Sequence, residues 1–275
     1  MSGFAASWLA MREPADHRAR NTALMDRAVA WLRGDGDLSP TIVDLGCGTG
    51  STLAAFDGLG SVEEGAGAGF APHWRLLDND PALLAAAAER AAALGIDAET
   101  RVADLGDSSA IPLGGARLVT ASALFDLASQ DFITALATRI AAEGAGLYAA
   151  LNYDGSTTFA PSHPLDGIIV AGFNRHQLRP KGLGIGPSLG PAAARALAAA
   201  LKAHGYVVEL AESPWKLGAE DAELAVAHVE GMASAVAELD VLQIADLDDW
   251  RSTRVASAGS GSATIGHLDL LALPG

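Results

Sequence analysis

Acids and glycines stand at the ends of successive apolar runs, an arrangement that can hold a polar ligand. "TIVDLGCGTGST", Thr41 to Thr52, carries Asp44 and then Gly46, Gly48 and Gly50, "HWRLLDND" ends on Asp78 and Asn79, and "AETRVADLGD" carries Asp104 and Leu105. Glycine at such a bend permits positive φ and lets a ligand approach the backbone without meeting a Cβ. The helix that follows offers free N–H groups and partial positive charge. A turn of this kind suits a dinucleotide, a nucleoside cofactor or no ligand. Asp44 narrows the choice, because a carboxylate there opposes a pyrophosphate and suits a cationic or zwitterionic group. The dinucleotide pattern G-x-G-x-x-G also fails, with Ser51 in its third glycine position, so a nicotinamide-dependent oxidoreductase is the weaker alternative. At the end of its strand Asp78 can accept hydrogen bonds from a ribose diol. Asp104 can accept from the exocyclic amine of a purine.

The elements that must position these residues follow from the hydrophobic pattern. Short apolar runs alternate with helical stretches of ten to fifteen residues, which predicts a parallel sheet covered on both faces. Residues 4 to 33 read as helical, in one or two pieces broken near Glu13-Pro14, with Asp16 as a cap for the second piece. Strands are expected at "TIVDLG", "HWRLLDND", "AETRVADLGD", "ARLVTASALFDL", "AGLYAALNYDG", "YVVELAES" and "SATIGHLDLLALP". That makes a doubly wound, mostly parallel, seven-stranded α/β sheet in a single domain, 1–275. Residues 1–38 form an N-terminal helical cover and 41–152 the ligand-binding half. Residues 155–190, irregular, and 218–257, helical, are expected to be cap insertions. The glycine-rich stretch 59–72 is longer than an ordinary connection. In an open parallel sheet, ligands sit beyond the carboxyl ends of the strands, which is where these acids and glycines fall.

With these motifs in place the chain resembles the class I S-adenosylmethionine-dependent methyltransferases. "VDLGCGTG" matches that family's first motif, "RLLDND" the acidic second, "VADLGD" the third and "LVTASALFDL" the fourth, so the resemblance covers roughly Thr41 to Asn152. It implies a Rossmann-like fold and S-adenosylmethionine as cofactor. Gly46, Gly48 and Gly50 would line its methionine portion, with Asp44 serving the ammonium directly or through water. Asp78 would hold the ribose hydroxyls with Asn79 against the adenine, Asp104 and Leu105 would bracket the amino edge, and Ser122 and Ala123 would lie below the sulfonium. Asp78 lies further from the glycines than is usual in the family, as an insertion at 59–72 would explain.

The methyl acceptor is not named by these motifs. Arg175, His176, Arg179 and Lys181 crowd seven positions of an otherwise acidic chain, and they read either as a clamp over an anionic acceptor or as a solvated loop. His176 and His163 are candidate bases, His163 being equally a turn residue. Asp126 either faces the acceptor or caps the helix near Gln130. Asn152 and Tyr153, after the fifth strand, are candidate acceptor contacts, and Tyr153 is equally a packing residue. Trp8 and Arg12 lie on a helix that could fold over the cofactor. Family members acting on nucleic-acid amines often carry Asn or Asp, two prolines and an aromatic where this chain reads "SALFDL". The expected acceptor is therefore a small molecule, an anionic one being favoured by the basic cluster. A cofactor-binding but non-catalytic subunit is the alternative of another class.

Bulk properties agree. A formal charge of −15 gives a surface that repels nucleic acid and anionic membranes. No apolar run has the length and purity of a membrane span, and no secretion signal is evident. The single cysteine, Cys47, excludes an internal disulfide and suits a reducing compartment. A cytoplasmic monomer or homodimer without bound metal is the expectation.

Overall fold

The computed structural model describes residues 6–34, 36–57 and 70–275; most of the glycine-rich stretch, and with it the inferred insertion, lies outside the described residues. Its centre is an eight-stranded sheet in the order β3-β2-β1-β4-β5-β8-β6, with β7 paired to β8. The strands are β1 (Thr41–Leu45), β2 (His73–Asp78), β3 (Ala98–Val102), β4 (Ala116–Ser122), β5 (Gly146–Ala160), β6 (Tyr206–Glu212), β7 (Trp215–Leu217) and β8 (Ser262–Pro274). The first five are parallel. β8 enters between β5 and β6 antiparallel to both. The expected seven strands thus become eight: three residues at Trp215–Leu217 are too few to register as a run, yet they pair with β8.

Helices cover both faces. α3 (Ser51–Asp57) follows the glycine turn and α4 (Pro81–Leu94) starts on Pro81, whose missing N–H costs nothing in a first turn. α5 (Gln130–Glu143) is capped by Ser129 and stopped by left-handed Gly144, and α7 (Ala193–Ala203) packs beside it. Val43, Leu45, Val119, Ala121 and Leu147 carry one core layer, while Ile42, Leu76, Leu118 and Tyr148 carry the other. That two-sided burial is the reason the parallel strands read as continuous apolar runs.

The N-terminal cover departs from expectation. α1 (Ala6–Ala19) runs unbroken through Pro14, and the break comes at Arg20–Asn21, where the Asn21 side chain caps α2 (Thr22–Arg33). Asp16 caps nothing; it is buried inside α1, where it pairs with Arg12 and accepts from Trp215 Nε1.

The cap is more regular than its sequence. β5 continues to Ala160 instead of ending near Gly155, α6 spans Asp166–Gln177, α8 (Ala222–Ala237) packs against it, and α9 (Ile244–Ser257) packs against α8. Asp166 ties α6 to α9, accepting from Arg254 and from Trp250 Nε1. β5 bends where its register against β8 slips between Ala149 and Asn152. Buried Asp269 holds the bend through the Leu151 N–H, the Tyr148 hydroxyl and the Asn21 N–H. Among the described residues, no helix is long and apolar enough to cross a membrane.

Candidate functional site

The carboxyl ends of β1 to β4 open on one cavity. Gly46, Gly48, Asp78, Asn79, Asp104, Leu105, Ser122 and Ala123 all line it, so eight residues from four separate motifs meet on one wall. Ala123 holds φ +50°, a strained value for a residue with a Cβ, of the kind concentrated at functional sites.

The glycines divide their work. Gly46 and Gly48 hold φ of +63° and +54°, and a Cβ on Gly48 would sit 3.0 Å from Leu9 of α1. The cover therefore rests directly on the bare turn. Gly50, expected with them, does not line the cavity; a Cβ there would touch Ala87 and Arg90 of α4. Its φ of +82° is what calls for glycine, since a Cβ there would meet α4 only at an ordinary 3.5 Å, and spacing alone cannot separate that backbone need from ligand access.

Asp78 braces the turn as well as lining the cavity. Its Oδ2 accepts from the Gly48 N–H at 2.9 Å and its Oδ1 from the Asp80 N–H at 3.0 Å. Each carboxylate oxygen keeps a further acceptor direction for a sugar hydroxyl. Asp104 spends Oδ1 on the Gly106 N–H and also faces the cavity.

Asp44 lies beneath the turn rather than on the cavity surface, and is only 1% exposed. Its Oδ1 accepts from the Thr120 hydroxyl at 2.7 Å, while Oδ2 is buried with no protein partner. Burial pushes its pKa up to about 7, against the lowering influence of Thr120 and Arg20. Arg20, which the sequence reading missed, is its counterpart. This guanidinium is 4% exposed and donates to Ser122 Oγ, and its Nε and Nη1 are buried without a partner. Neither residue lines the cavity, so this unpaired acceptor and unpaired donor pair, one layer behind the lining, suit the ammonium and carboxylate of an amino acid through water. Buried groups left unpaired cost about 1–3 kcal/mol each, a deficit that such a ligand would relieve. The residues present thus fit S-adenosylmethionine at both its amino-acid and its nucleoside end. The signal for Arg20 was a basic residue directly before the cap of α2, invisible until α1 folds onto the sheet.

Two segments close the cavity. α1 contributes Leu9 and Arg12, while Trp8, partly buried, packs against the core cluster that holds Tyr153, Trp215 and Ile265. Lys181 and Leu183 come from the loop after α6. That loop is pinned: Ser129 N–H donates to Leu183 O, Leu189 N–H to Ala128 O, and Ser188 Oγ to Leu127 O. Gly184, at φ +86°, is obligatory, since a Cβ would lie 2.3 Å from Ser129 Oγ.

The basic cluster does not assemble into a clamp. Arg175 and His176 lie in the last turn of α6; Arg175 faces outward beside Ile168 and Val241. His176 and Arg179 both approach Glu238. Only Lys181 reaches the cavity. A helix spreads neighbouring residues around its axis, which scatters charges that sequence spacing had grouped. His163 is likewise outside the site: its Nδ1 accepts from the Leu165 N–H and its Nε2 approaches Asp249. Asn152 clips the bend of β5, donating to Ala149 O and Leu268 O.

Asp126 and Tyr153 remain near the site. Asp126 caps no helix, because Ser129 does; its Oδ1 is buried and unpartnered. Burial raises its pKa, and the nearby Arg12 and Lys181 cations oppose the rise. Tyr153 is buried, its pKa lifted to about 12 mainly by desolvation. Cys47 is buried beside Asp44 and Asp78, which with desolvation push its thiol far up and make it a packing residue.

Sheet order and turn define a Rossmann-like α/β protein with a cavity at the carboxyl ends of its parallel strands. No protein-family model and no curated protein matches the sequence. Solved structures do. One provisionally assigned as a methyltransferase, from Bacillus halodurans C-125, is 12% identical and superposes with a TM-score of 0.50 over 91% of this chain and 99% of its own. The YcgJ protein of Bacillus subtilis, 11% identical, aligns with a TM-score of 0.49 over 93% and 100%. Magnesium protoporphyrin IX methyltransferase of Synechocystis PCC 6803, solved with S-adenosylhomocysteine, is 19% identical with a TM-score of 0.42 over 69% and 74%. The fold is that of the class I S-adenosylmethionine-dependent methyltransferases.

Proposed function

We propose that this protein transfers a methyl group from S-adenosylmethionine to a small-molecule acceptor. The observation that carries the reading is the meeting, in one cavity, of the glycine turn with Asp78, Asp104 and Ser122 from successive strand ends. The unpaired Asp44 and Arg20 atoms beside it support the amino-acid end of that cofactor.

When bound, the cofactor would supply an activated methyl group, so the protein's share of the work is alignment and exclusion of water. Gly46 and Gly48 let the ligand lie against backbone. Asp44 and Arg20 hold its charged end, and Asp78 its sugar. Leu9 and Leu183 close the apolar side against solvent. Asp126, at the acceptor side and with its carboxyl pKa raised by burial, is the group placed to receive a proton from an acceptor hydroxyl.

Calorimetry with S-adenosylhomocysteine tests the reading. Micromolar binding by wild type and at least tenfold weaker binding by Asp78→Ala are expected. A wild type that binds neither this ligand nor S-adenosylmethionine refutes it.

A further inference from the structure

Four charged residues line the cavity at the strand ends, and they divide by sign. Asp78 and Asp104 stand on the sheet side, at the end assigned to the nucleoside. Arg12 and Lys181 stand on the two segments that close the cavity, α1 and the loop after α6, and the cofactor reading uses neither. In a chain of formal charge −15, two cations at one cavity call for a reason.

Arg12 is held in place before any ligand arrives. Its side chain is 13% exposed, and its Nε and Nη2 donate to the Asp16 carboxylate at 2.8 and 3.2 Å, which leaves Nη1 outside the pair. Trp215 backs the guanidinium, whose centre lies 5.1 Å over the ring. A guanidinium fixed from two sides presents its planar donor fork without the entropy cost of ordering it. Lys181 is the reverse case. Its neighbours His176 and Arg179 approach Glu238, whereas Lys181 makes no ion pair among the described residues. Its backbone is fixed all the same, the N–H donating to Ser188 Oγ at 3.1 Å.

Asp126 joins the two. Both cations act on its carboxyl, opposing the rise that burial causes. Asp126 follows Ser122 and Ala123, the residues placed at the sulfonium, and also acts on Tyr153 of β5, so this end of the cavity is the acceptor side. The charges then limit the ligand. Asp16 compensates Arg12, which keeps directed N–H groups to offer, and Lys181 supplies the one cation without a close counter-ion. A group with a single negative charge and two acceptor oxygens matches that set. A dianion would exceed it and meet the Asp126 carboxylate besides.

We propose that Arg12 and Lys181 together bind the carboxylate of a small methyl acceptor that carries one such group. The pairing differs from the one that sequence spacing favours: Lys181 works with Arg12 of α1 rather than with Arg175, which faces outward. The proposal rests on the methyltransferase reading for the presence of an acceptor, while anion binding at the two cations is measurable without it.

Acetate is the probe, since it suits a carboxylate subsite whatever skeleton the acceptor has. The chain has three lysines, Lys181, Lys202 and Lys216, so ¹³C-lysine labelling of the full chain gives three sets of side-chain signals, and Lys181→Gln identifies one set by its loss. In protein saturated with S-adenosylhomocysteine, acetate should shift the Lys181 signals saturably, with a dissociation constant of about 1–10 mM, as suits so small a ligand. Acetamide should leave them in place, and methyl phosphate should bind no more tightly than acetate. Arg12→Gln should weaken acetate roughly tenfold, the loss of a charge-assisted bond, with Lys181 as the reporter. Should that variant not fold, the wild-type arms decide. An acetate shift that is absent, equalled by acetamide or shared by Lys202 and Lys216 overturns the proposal. So does tighter binding of methyl phosphate, or a folded Arg12→Gln protein with wild-type affinity for acetate. If S-adenosylhomocysteine abolishes an acetate shift seen without it, the two cations serve the cofactor's own carboxylate and the proposal falls. Failure of the methyltransferase reading looks different: acetate then shifts Lys181 as described while S-adenosylhomocysteine does not bind.

Discussion

Lowering the pH should weaken cofactor binding through Asp44, and the size of the effect follows from its surroundings. The unliganded carboxyl has its pKa pushed up to about 7 because burial outweighs the Thr120 hydrogen bond and the Arg20 charge. The ammonium of the cofactor needs the ionised form. If only that form binds, affinity for S-adenosylhomocysteine falls about tenfold from pH 8 to pH 6, since ten of every eleven molecules then first have to lose a proton. Calorimetry in buffers of different ionisation enthalpy should count about 0.9 proton released per ligand at pH 6 and about 0.1 at pH 8. Asp44→Asn keeps the bond to Thr120 but removes the charge. It should cost roughly 1.5–3 kcal/mol of binding, the range for a hydrogen bond to a charged group, and it should abolish both the pH slope and the proton release. The unliganded protein moves the other way. Its raised folded-state pKa favours the protonated form, so that contribution to stability is complete below the unfolded value of about 3.8 and is lost as pH rises through about 7. A wild-type affinity that is flat from pH 6 to 8, with no proton released, would refute the assignment of Asp44 to the ammonium.

Other consequences are directly measurable. Asp269→Ala should lower unfolding free energy by about 3 kcal/mol in urea titrations, because three donors, two of them backbone N–H groups, lose their shared acceptor; an effect below 1 kcal/mol would show that water replaces it. His267 and His228 have depressed folded pKa values, so their contribution is complete above about 6.5 and drains away as pH falls towards 4 and then 3. Acid unfolding followed by circular dichroism should shift to lower pH in His267→Phe, and an unmoved midpoint contradicts the neutral state of that ring. Gly184→Ala should loosen the loop that carries Lys181 and Leu183, raising amide exchange at Ser129 and Leu189 while leaving the β1 to β4 core protected.

The half of the molecule legible in the sequence is the half governed by local rules. A turn after a parallel strand needs glycine, a strand-end acid meets the same ligand whatever covers it, and strands buried on two faces show unbroken apolar runs. Those rules located Gly46, Gly48, Asp78, Asn79, Asp104, Leu105, Ser122 and Ala123. They failed where a residue answers to something distant. Asn152 serves the bend of β5, and Arg175 points outward because its segment is helical. Pro14 suggested a helix break on a rule of isolated helices, but α1 is held as one piece from both ends: Arg12 and Asp16 join it to Trp215, and Arg18 to Asp221.

The ring cluster of Tyr153, Phe173, Trp215, His228 and His267, packed edge against edge, shows the same limit in sharper form. Its members come from β5, α6, β7, α8 and β8, spread from Tyr153 to His267. Each taken alone is an ordinary core aromatic or a solitary histidine. Only the antiparallel insertion of β8 between β5 and β6 puts His267 level with Tyr153, and only β7, three residues long, brings Trp215 to Ile265 and hence to the adjoining imidazole. Cofactor residues sit where the parallel sheet of any such protein must end, so their positions can be read one strand at a time. The ring cluster sits where the elements particular to this chain converge, so its chemistry becomes visible only after folding has placed its members together.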